Sequence, residues 1–201
     1  MKKARIAVFV SGGGTNLQAL IDAEKSGIIQ SGEIVLVLSS TENAYALKRA
    51  EANGIATAVV SRKASASQAD FEEGILLALQ IAKADLIVLA GFMSILSADF
   101  TSRFPKRILN VHPSLIPSFC GKGYYGLRVH EEALRYGVKV TGATVHFVNE
   151  IPDGGEIIAQ QAVDVLPGDT PETLQRRVME QAEWIILPRA VEIISEKLST
   201  N

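Results

Sequence analysis

Five segments, residues 5–10, 33–38, 56–60, 85–90 and 107–111, are nearly continuous in apolar, often β-branched residues, and longer stretches of helical period separate them. A strand with one face in water alternates apolar and polar side chains, whereas a strand buried on both faces is apolar throughout. The five runs therefore predict a parallel sheet covered on both sides, and parallel neighbours need crossover connections, here helical. Leu17, Leu20, Ile21 and Glu24 follow i, i+3, i+4, i+7 spacing with three apolar members. Phe71, Ile75, Leu76 and Leu79 form a clearer apolar face before the fourth run. The fold class is α/β, with a doubly wound, mostly parallel sheet.

After residue 111 the pattern changes. Residues 113–126 are loop-like, 127–136 helical, and 140–148 and 156–165 strand-like around a connection at 149–155. The last two strands are expected to add an antiparallel hairpin, bringing the sheet to about seven strands. A final long helix is announced by Thr170 as N-cap, Pro171 as first residue and Glu172 at the positive end of the dipole. Leu174, Val178, Ala182 and Ile185 give it a buried stripe, and Pro188 is expected to kink or divide it.

The length of 201 residues suits a single domain, with residues 1–111 as a βαβ half and 112–201 as a second half. The net charge of −2 predicts no general affinity for nucleic acid or an anionic membrane surface. The start, Met1-Lys2-Lys3-Ala4-Arg5, looks like a secretory leader, but the apolar run after it covers only residues 6–10. It reads as a first strand, no stretch approaches the roughly 18 residues of a membrane span, and a cytoplasmic location follows as the default. The one cysteine, Cys120, excludes an internal disulfide, and no histidine or cysteine spacing suits a metal.

Three motifs carry chemistry. In Asn110-Val111-His112-Pro113-Ser114, residues two apart in an extended segment share a face, and proline keeps His112 extended. Asn110 and His112 thus project together from a strand's carboxyl end, where open α/β sheets hold ligands. Ser11-Gly12-Gly13-Gly14-Thr15-Asn16 lies between the first strand and first helix. Glycines let backbone amides approach a ligand, and a helix N-terminus favours an anion; a plain tight turn is the other reading. The dinucleotide fingerprint would need glycine at Leu17 and an acidic residue where Ser39-Ser40-Thr41 stands, and no Lys-Ser or Lys-Thr completes a P-loop. A phosphate monoester fits better than NAD or ATP. Asp153-Gly154-Gly155 reads either as a turn or as a carboxylate that raises the pKa of His112 and relays protons. His130 is expected on a solvent-facing helix position, and His146, within a strand, as a satisfied structural residue.

These motifs, with the segment Ala90-Gly91-Phe92-Met93-Ser94-Ile95-Leu96 and the strand Thr141-Gly142-Ala143-Thr144-Val145-His146-Phe147-Val148, closely resemble the phosphoribosylglycinamide formyltransferases, folate-dependent enzymes of de novo purine synthesis. The resemblance covers essentially the whole chain. It implies transfer of a formyl group from 10-formyltetrahydrofolate, as co-substrate, to the amino group of glycinamide ribonucleotide, with no metal, NAD or ATP. By the same resemblance Asn110, His112 and Asp153 are catalytic, and Gly13, Gly14, Thr15, Asn16, Pro113 and Glu183 hold the ribonucleotide. Leu89, Met93, Ser94, Ile95 and Leu96, with Asn110, Asn149, Glu150 and Asp153, hold the folate. Partners are then small molecules only, without nucleic acid or membrane, and the chain is a monomer or weak homodimer.

Two departures from the family pattern stand out. Ser94 occupies a position where many relatives carry arginine, and residues 178–188 are one residue longer than in familiar members. The loop 118–126 reads equally as a lid or as a flexible surface loop. Formyltetrahydrofolate hydrolase and methionyl-tRNA formyltransferase share the catalytic set but carry extra domains for which this chain has no room. A nonenzymatic phosphometabolite-binding protein would keep only the glycine-rich loop.

Overall fold

The computed structural model describes residues 2–200; Met1 and Asn201, the ends of the span read as one domain, lie outside the described residues. A single seven-stranded sheet has the order β3-β2-β1-β4-β5-β6-β7. Its strands are β1 (Ala4–Val10), β2 (Gly32–Ser39), β3 (Thr57–Val59), β4 (Leu86–Leu89), β5 (Ile108–His112), β6 (Val140–Phe147) and β7 (Ile157–Asp164). The first five pair in parallel, and β6 and β7 run antiparallel to their neighbours, as the sequence pattern leads one to expect. Helices α1 (Thr15–Lys25), α2 (Tyr45–Ala52), α3 (Gln68–Ala82), α4 (Ala98–Ser102), α5 (Leu127–Tyr136), α6 (Pro171–Val178) and α7 (Trp184–Ser199) connect and flank them.

β1 shows why the apolar run is unbroken. Ile6, Val8 and Val10 belong to one core with Leu17, Leu20 and Ile21 of α1 and Leu187, Val191 and Ile194 of α7. Ala7 and Phe9 face the other side, against Phe71, Ile75 and Leu79 of α3 and Phe100 of α4. Phe71 is fully buried, and truncating such a side chain to alanine costs about 3–5 kcal/mol. Because β1 lies between β2 and β4, the chain leaves the sheet in opposite directions on either side of it. That divergence opens a crevice at the carboxyl ends of the strands.

α6 begins as its sequence announces. Thr170 Oγ1 accepts from Thr173 N at 3.3 Å, Thr173 Oγ1 accepts from Thr170 N at 2.9 Å, and Pro171 opens the helix. The expected division at Pro188 is not found. The irregularity is a π turn at Met179–Glu183, after which α7 runs unbroken through the proline. A widened turn just ahead of a proline gives its ring room against the carbonyl four residues back, here that of Trp184.

The π turn also corrects the expected stripe. Leu174, Val178 and Ala182 are buried, but Ile185 is 38% exposed and Ile186 takes its place in the core. One extra residue in a turn advances every later side chain by about 100° around the helix axis.

His130 is a second correction. It lies on the inner face of α5 with Val129 and Ala133 and is 0% exposed, not solvent-facing. α6 packs against α5 and covers it. Among the described residues neither ring nitrogen has a hydrogen-bond partner, and burial, aided by the nearby His112, pushes its pKa down to about 4. No helix among the described residues is long and apolar enough to cross a membrane.

Candidate active site

Asn110 and His112 occupy the carboxyl end of β5, between β4 and β6. The antiparallel register sets Asn110 opposite His146 and His112 opposite Thr144. The two imidazoles therefore come from different strands. In the neutral ring, with His146 Nδ1–H donating to the Phe147 carbonyl at 2.7 Å, Nε2 is the acceptor for Asn110 Nδ2 at 3.2 Å. His146 is satisfied, as a strand histidine is expected to be, but its partner is a candidate catalytic residue. Nothing in the local sequence marks that pairing; only the register of β5 on β6 reveals it.

Asp153 arrives from the connection between β6 and β7. Asn149 Oδ1 accepts from Ile151 N at 3.0 Å, which tightens the loop. Asp153 adopts a φ of 56°, a left-handed conformation that aspartate tolerates better than most residues. A Cβ on Gly155 would lie 1.7 Å from the Phe147 carbonyl oxygen, so this backbone approaches closely enough to require glycine. The Asp153 carboxylate then reaches four groups at once. Oδ2 accepts from Gly121 N at 2.8 Å and lies 3.6 Å from His112 Nδ1, while Oδ1 lies 3.6 Å from His146 Nε2 and 3.4 Å from Asn110 Nδ2.

Electrostatics revise one expectation. Burial lowers the pKa of His112 below the ordinary imidazole value, outweighing the upward pull of Asp153 and of the Phe119 carbonyl. Asp153 raises the pKa, as expected, but does not win. For Asp153 itself burial is the largest single influence and pushes upward, yet His146, His112 and the Gly121 N–H together hold the carboxyl below its usual range. His112 Nε2 lies 2.8 Å from the Phe119 carbonyl, which only accepts, so this nitrogen carries the proton. The loop 118–126 is thus folded onto the site, touching His112 through Phe119 and Asp153 through Gly121.

Two pockets meet at this cluster. A cleft of about 450 Å³ is lined by the glycine-rich turn through Asn16, by Pro113 and His112, and by Glu183 from the π turn. A smaller pocket of about 140 Å³ is lined by Leu89, Ser94, Ile95, Leu96, Asn149 and Glu150, among others. Phe92, Asn110 and Asp153 line both. Met93, expected beside Ser94, opens instead on the larger cleft, its backbone N–H held by Ser11 Oγ at 2.9 Å. Glu183 is buried and accepts from Asn16 Nδ2 at 2.7 Å, and burial raises its pKa to about 7 against the smaller opposing effect of that hydrogen bond. Asn16 Oδ1 is buried without a partner among the described residues, an acceptor left for a donor in the cleft. No group of three or more histidine, cysteine, aspartate or glutamate side chains among the described residues is arranged to hold a metal ion.

This fold, with an Asn–His–Asp cluster between two pockets, defines a formyl transferase: residues 4–191 match the Formyl transferase family model, and the chain belongs to that family. Within the family it is similar to phosphoribosylglycinamide formyltransferase of Haemophilus influenzae, 44% identical over 196 residues, which cover 98% of this chain and 88% of that protein. The human trifunctional purine biosynthetic protein adenosine-3 is 45% identical over 194 residues, 96% of this chain, but the chain spans only 18% of that protein's length. Among solved structures, phosphoribosylglycinamide formyltransferase from Brucella melitensis superposes with a TM-score of 0.87 at 46% identity, covering 96% of each chain. Glycinamide ribonucleotide transformylase 1 from Symbiobacterium toebii gives 0.90 at 42% identity, covering 97% of this chain and 89% of that one.

Proposed function

We propose that the protein transfers the formyl group of 10-formyltetrahydrofolate to the amino group of glycinamide ribonucleotide, giving formylglycinamide ribonucleotide and tetrahydrofolate in de novo purine synthesis. The observation that carries this reading is the position of Asn110 and Asp153, which line both pockets at once. A group passed between two ligands must pass there. The larger cleft, with its glycine-rich turn, suits the phosphate and ribose, through Gly13, Gly14, Thr15, Asn16, Pro113 and Glu183. The smaller pocket suits the flat pterin, through Leu89, Ser94, Ile95, Leu96, Asn149 and Glu150, with Met93 at the boundary.

The substrate amine attacks the formyl carbon, and the carbonyl electron pair moves to oxygen. One N–H of Asn110 is committed to His146; the other faces Asp153 at a long 3.4 Å and is the one available to an oxyanion. The His112 N–H is the second donor. It becomes available when it releases the Phe119 carbonyl. A single donor of this kind contributes about 3–4 kcal/mol of transition-state stabilisation. Collapse breaks the bond from carbon to the folate N10. The proton lost by the amine reaches N10 through Asp153 and water, so the overall exchange leaves no net charge behind.

In this reading residues 1–201 act as one domain in the cytoplasm, as a monomer or weak homodimer, without metal, NAD or ATP. Ribonucleotide-dependent release of tetrahydrofolate by the purified protein is the direct test.

A further inference from the structure

The larger cleft presents a dianion with a difficulty. Among the described residues its lining contains two carboxylates, Asp153 and Glu183, and no lysine or arginine. A positive charge is attached to the glycine-rich turn from the side of α2. Arg49 Nε donates to the Gly13 carbonyl at 2.9 Å and its Nη1 to Gln18 Oε1 at 3.2 Å. The guanidinium lies 5.1 Å from the centre of the Tyr45 ring, and Arg49 forms no ion pair among the described residues. Its charge is therefore not neutralised by a carboxylate.

The same contact sets the direction of the backbone. Ala46 N–H, an otherwise unpaired donor in the first turn of α2, bonds the Gly12 carbonyl at 3.1 Å. With Arg49 on the Gly13 carbonyl, two consecutive carbonyls are turned toward α2. In a trans peptide the N–H points opposite to the carbonyl, so the Gly13 and Gly14 amides are turned away from α2. The arrangement is tight: a Cβ on Gly14 would sit 2.6 Å from Ala46 Cβ. On the ligand side, the buried and unpartnered Asn16 Oδ1 marks the same end of the cleft as built for a polar guest.

We propose that Arg49 is a positioning residue for the phosphate-binding turn: it fixes the Gly13 peptide so that the turn's amides face the ligand, and supplies from behind the positive charge that the cleft lacks. The proposal rests on the reading of the larger cleft as the site of a phosphate monoester. It assigns Arg49 no contact with the reacting atoms. Arg49 therefore governs discrimination between phosphorylated and unphosphorylated substrate and not the rate of formyl transfer.

The test compares Arg49→Lys, Arg49→Gln and Arg49→Ala with the unaltered protein. Ribose 5-phosphate is titrated by calorimetry, and kcat and KM are measured for glycinamide ribonucleotide and for its dephosphorylated riboside. Arg49→Gln and Arg49→Ala are expected to weaken ribose 5-phosphate about tenfold, through loss of a partly exposed charge and of the hydrogen bond that orients the Gly13 peptide. KM for the ribonucleotide should rise in step, with kcat, KM for the formyl donor and the kinetics of the riboside within about twofold. Arg49→Lys, which keeps charge and donor, should retain most of the affinity. Equal loss for ribonucleotide and riboside, or unchanged ribose 5-phosphate affinity in folded Arg49→Gln, overturns the proposal. So does failure of the unaltered protein to bind ribose 5-phosphate. Binding of ribose 5-phosphate that depends on Arg49, in a protein that transfers no formyl group, would sustain this proposal while removing the proposed function.

Discussion

Asn110 and His146 face each other across the β5–β6 pair, with Asn110 Nδ2 3.2 Å from His146 Nε2. This contact fixes which way the Asn110 amide points when His146 is neutral, because Nδ1–H is then committed to the Phe147 carbonyl and Nε2 accepts. His146→Leu removes the acceptor and lets the amide rotate. The expected outcome is a fall in kcat of about 10–100-fold, the usual penalty for a misplaced catalytic group. Both KM values should stay within about threefold. Steady-state kinetics check this, and a variant with unimpaired kcat removes His146 from the site.

Asp153→Asn keeps the shape of the side chain but loses the charge that faces His112 and His146. A proton relay is typically worth about 10²–10⁴-fold in rate. The variant is expected to fold normally, bind both ligands and turn over slower by that factor. Thermal melting and single-turnover rates separate these effects, and near-normal turnover contradicts the relay.

Glu183 has a pKa near 7 because burial raises it more than Asn16 lowers it. A carboxyl with a raised folded pKa stabilises the fold fully below its ordinary range near 4.5, and that contribution is lost as pH rises through 7. For binding the sign is opposite, since the ionised carboxylate accepts from a ligand hydroxyl through either oxygen whereas the protonated form turns one oxygen into a donor. KM for the ribonucleotide is expected to fall between pH 6 and 8 in the native protein. Glu183→Gln should flatten that change, with the titration of the phosphate itself cancelling in the comparison. Identical pH profiles would exclude ionisation of Glu183 from binding.

His130 has the reverse dependence. Its folded pKa of about 4 lies below the ordinary 6.5, so the contribution to stability is complete above 6.5 and lost as pH falls through 4. The shift corresponds to at most about 3 kcal/mol. Glu183 works against it over part of that range, so the native protein alone does not isolate the effect. His130→Leu does: its stability relative to the native protein should increase as pH drops from 7 to 4, measured by urea unfolding. A constant difference would mean that His130 is not held neutral by burial.

The strands were legible to within a residue or two; for β1, β2, β4 and β5 this is because chain buried on both faces carries its own signal in the residues themselves, whereas β3 and β7 are largely exposed. Asn110 and His112 were legible for a similar reason: their spacing and the following proline are local. Ile185 departs from the expected stripe because a π turn shifts the helical period, and His130 departs from a solvent-facing position because the face of α5 packed by α6 is a tertiary fact. The pKa of His112 is depressed, contrary to the local pattern, because burial and not the neighbouring carboxylate dominates. His146 entered the site only through strand register, which pattern does not specify.

The most direct measurement is spectrophotometric release of tetrahydrofolate from 10-formyltetrahydrofolate by purified protein, with and without glycinamide ribonucleotide and with no metal or nucleotide added. Release that requires the ribonucleotide is the expected result. Equal release in its absence would make water the acceptor, and no release in either case would contradict formyl transfer to this ribonucleotide.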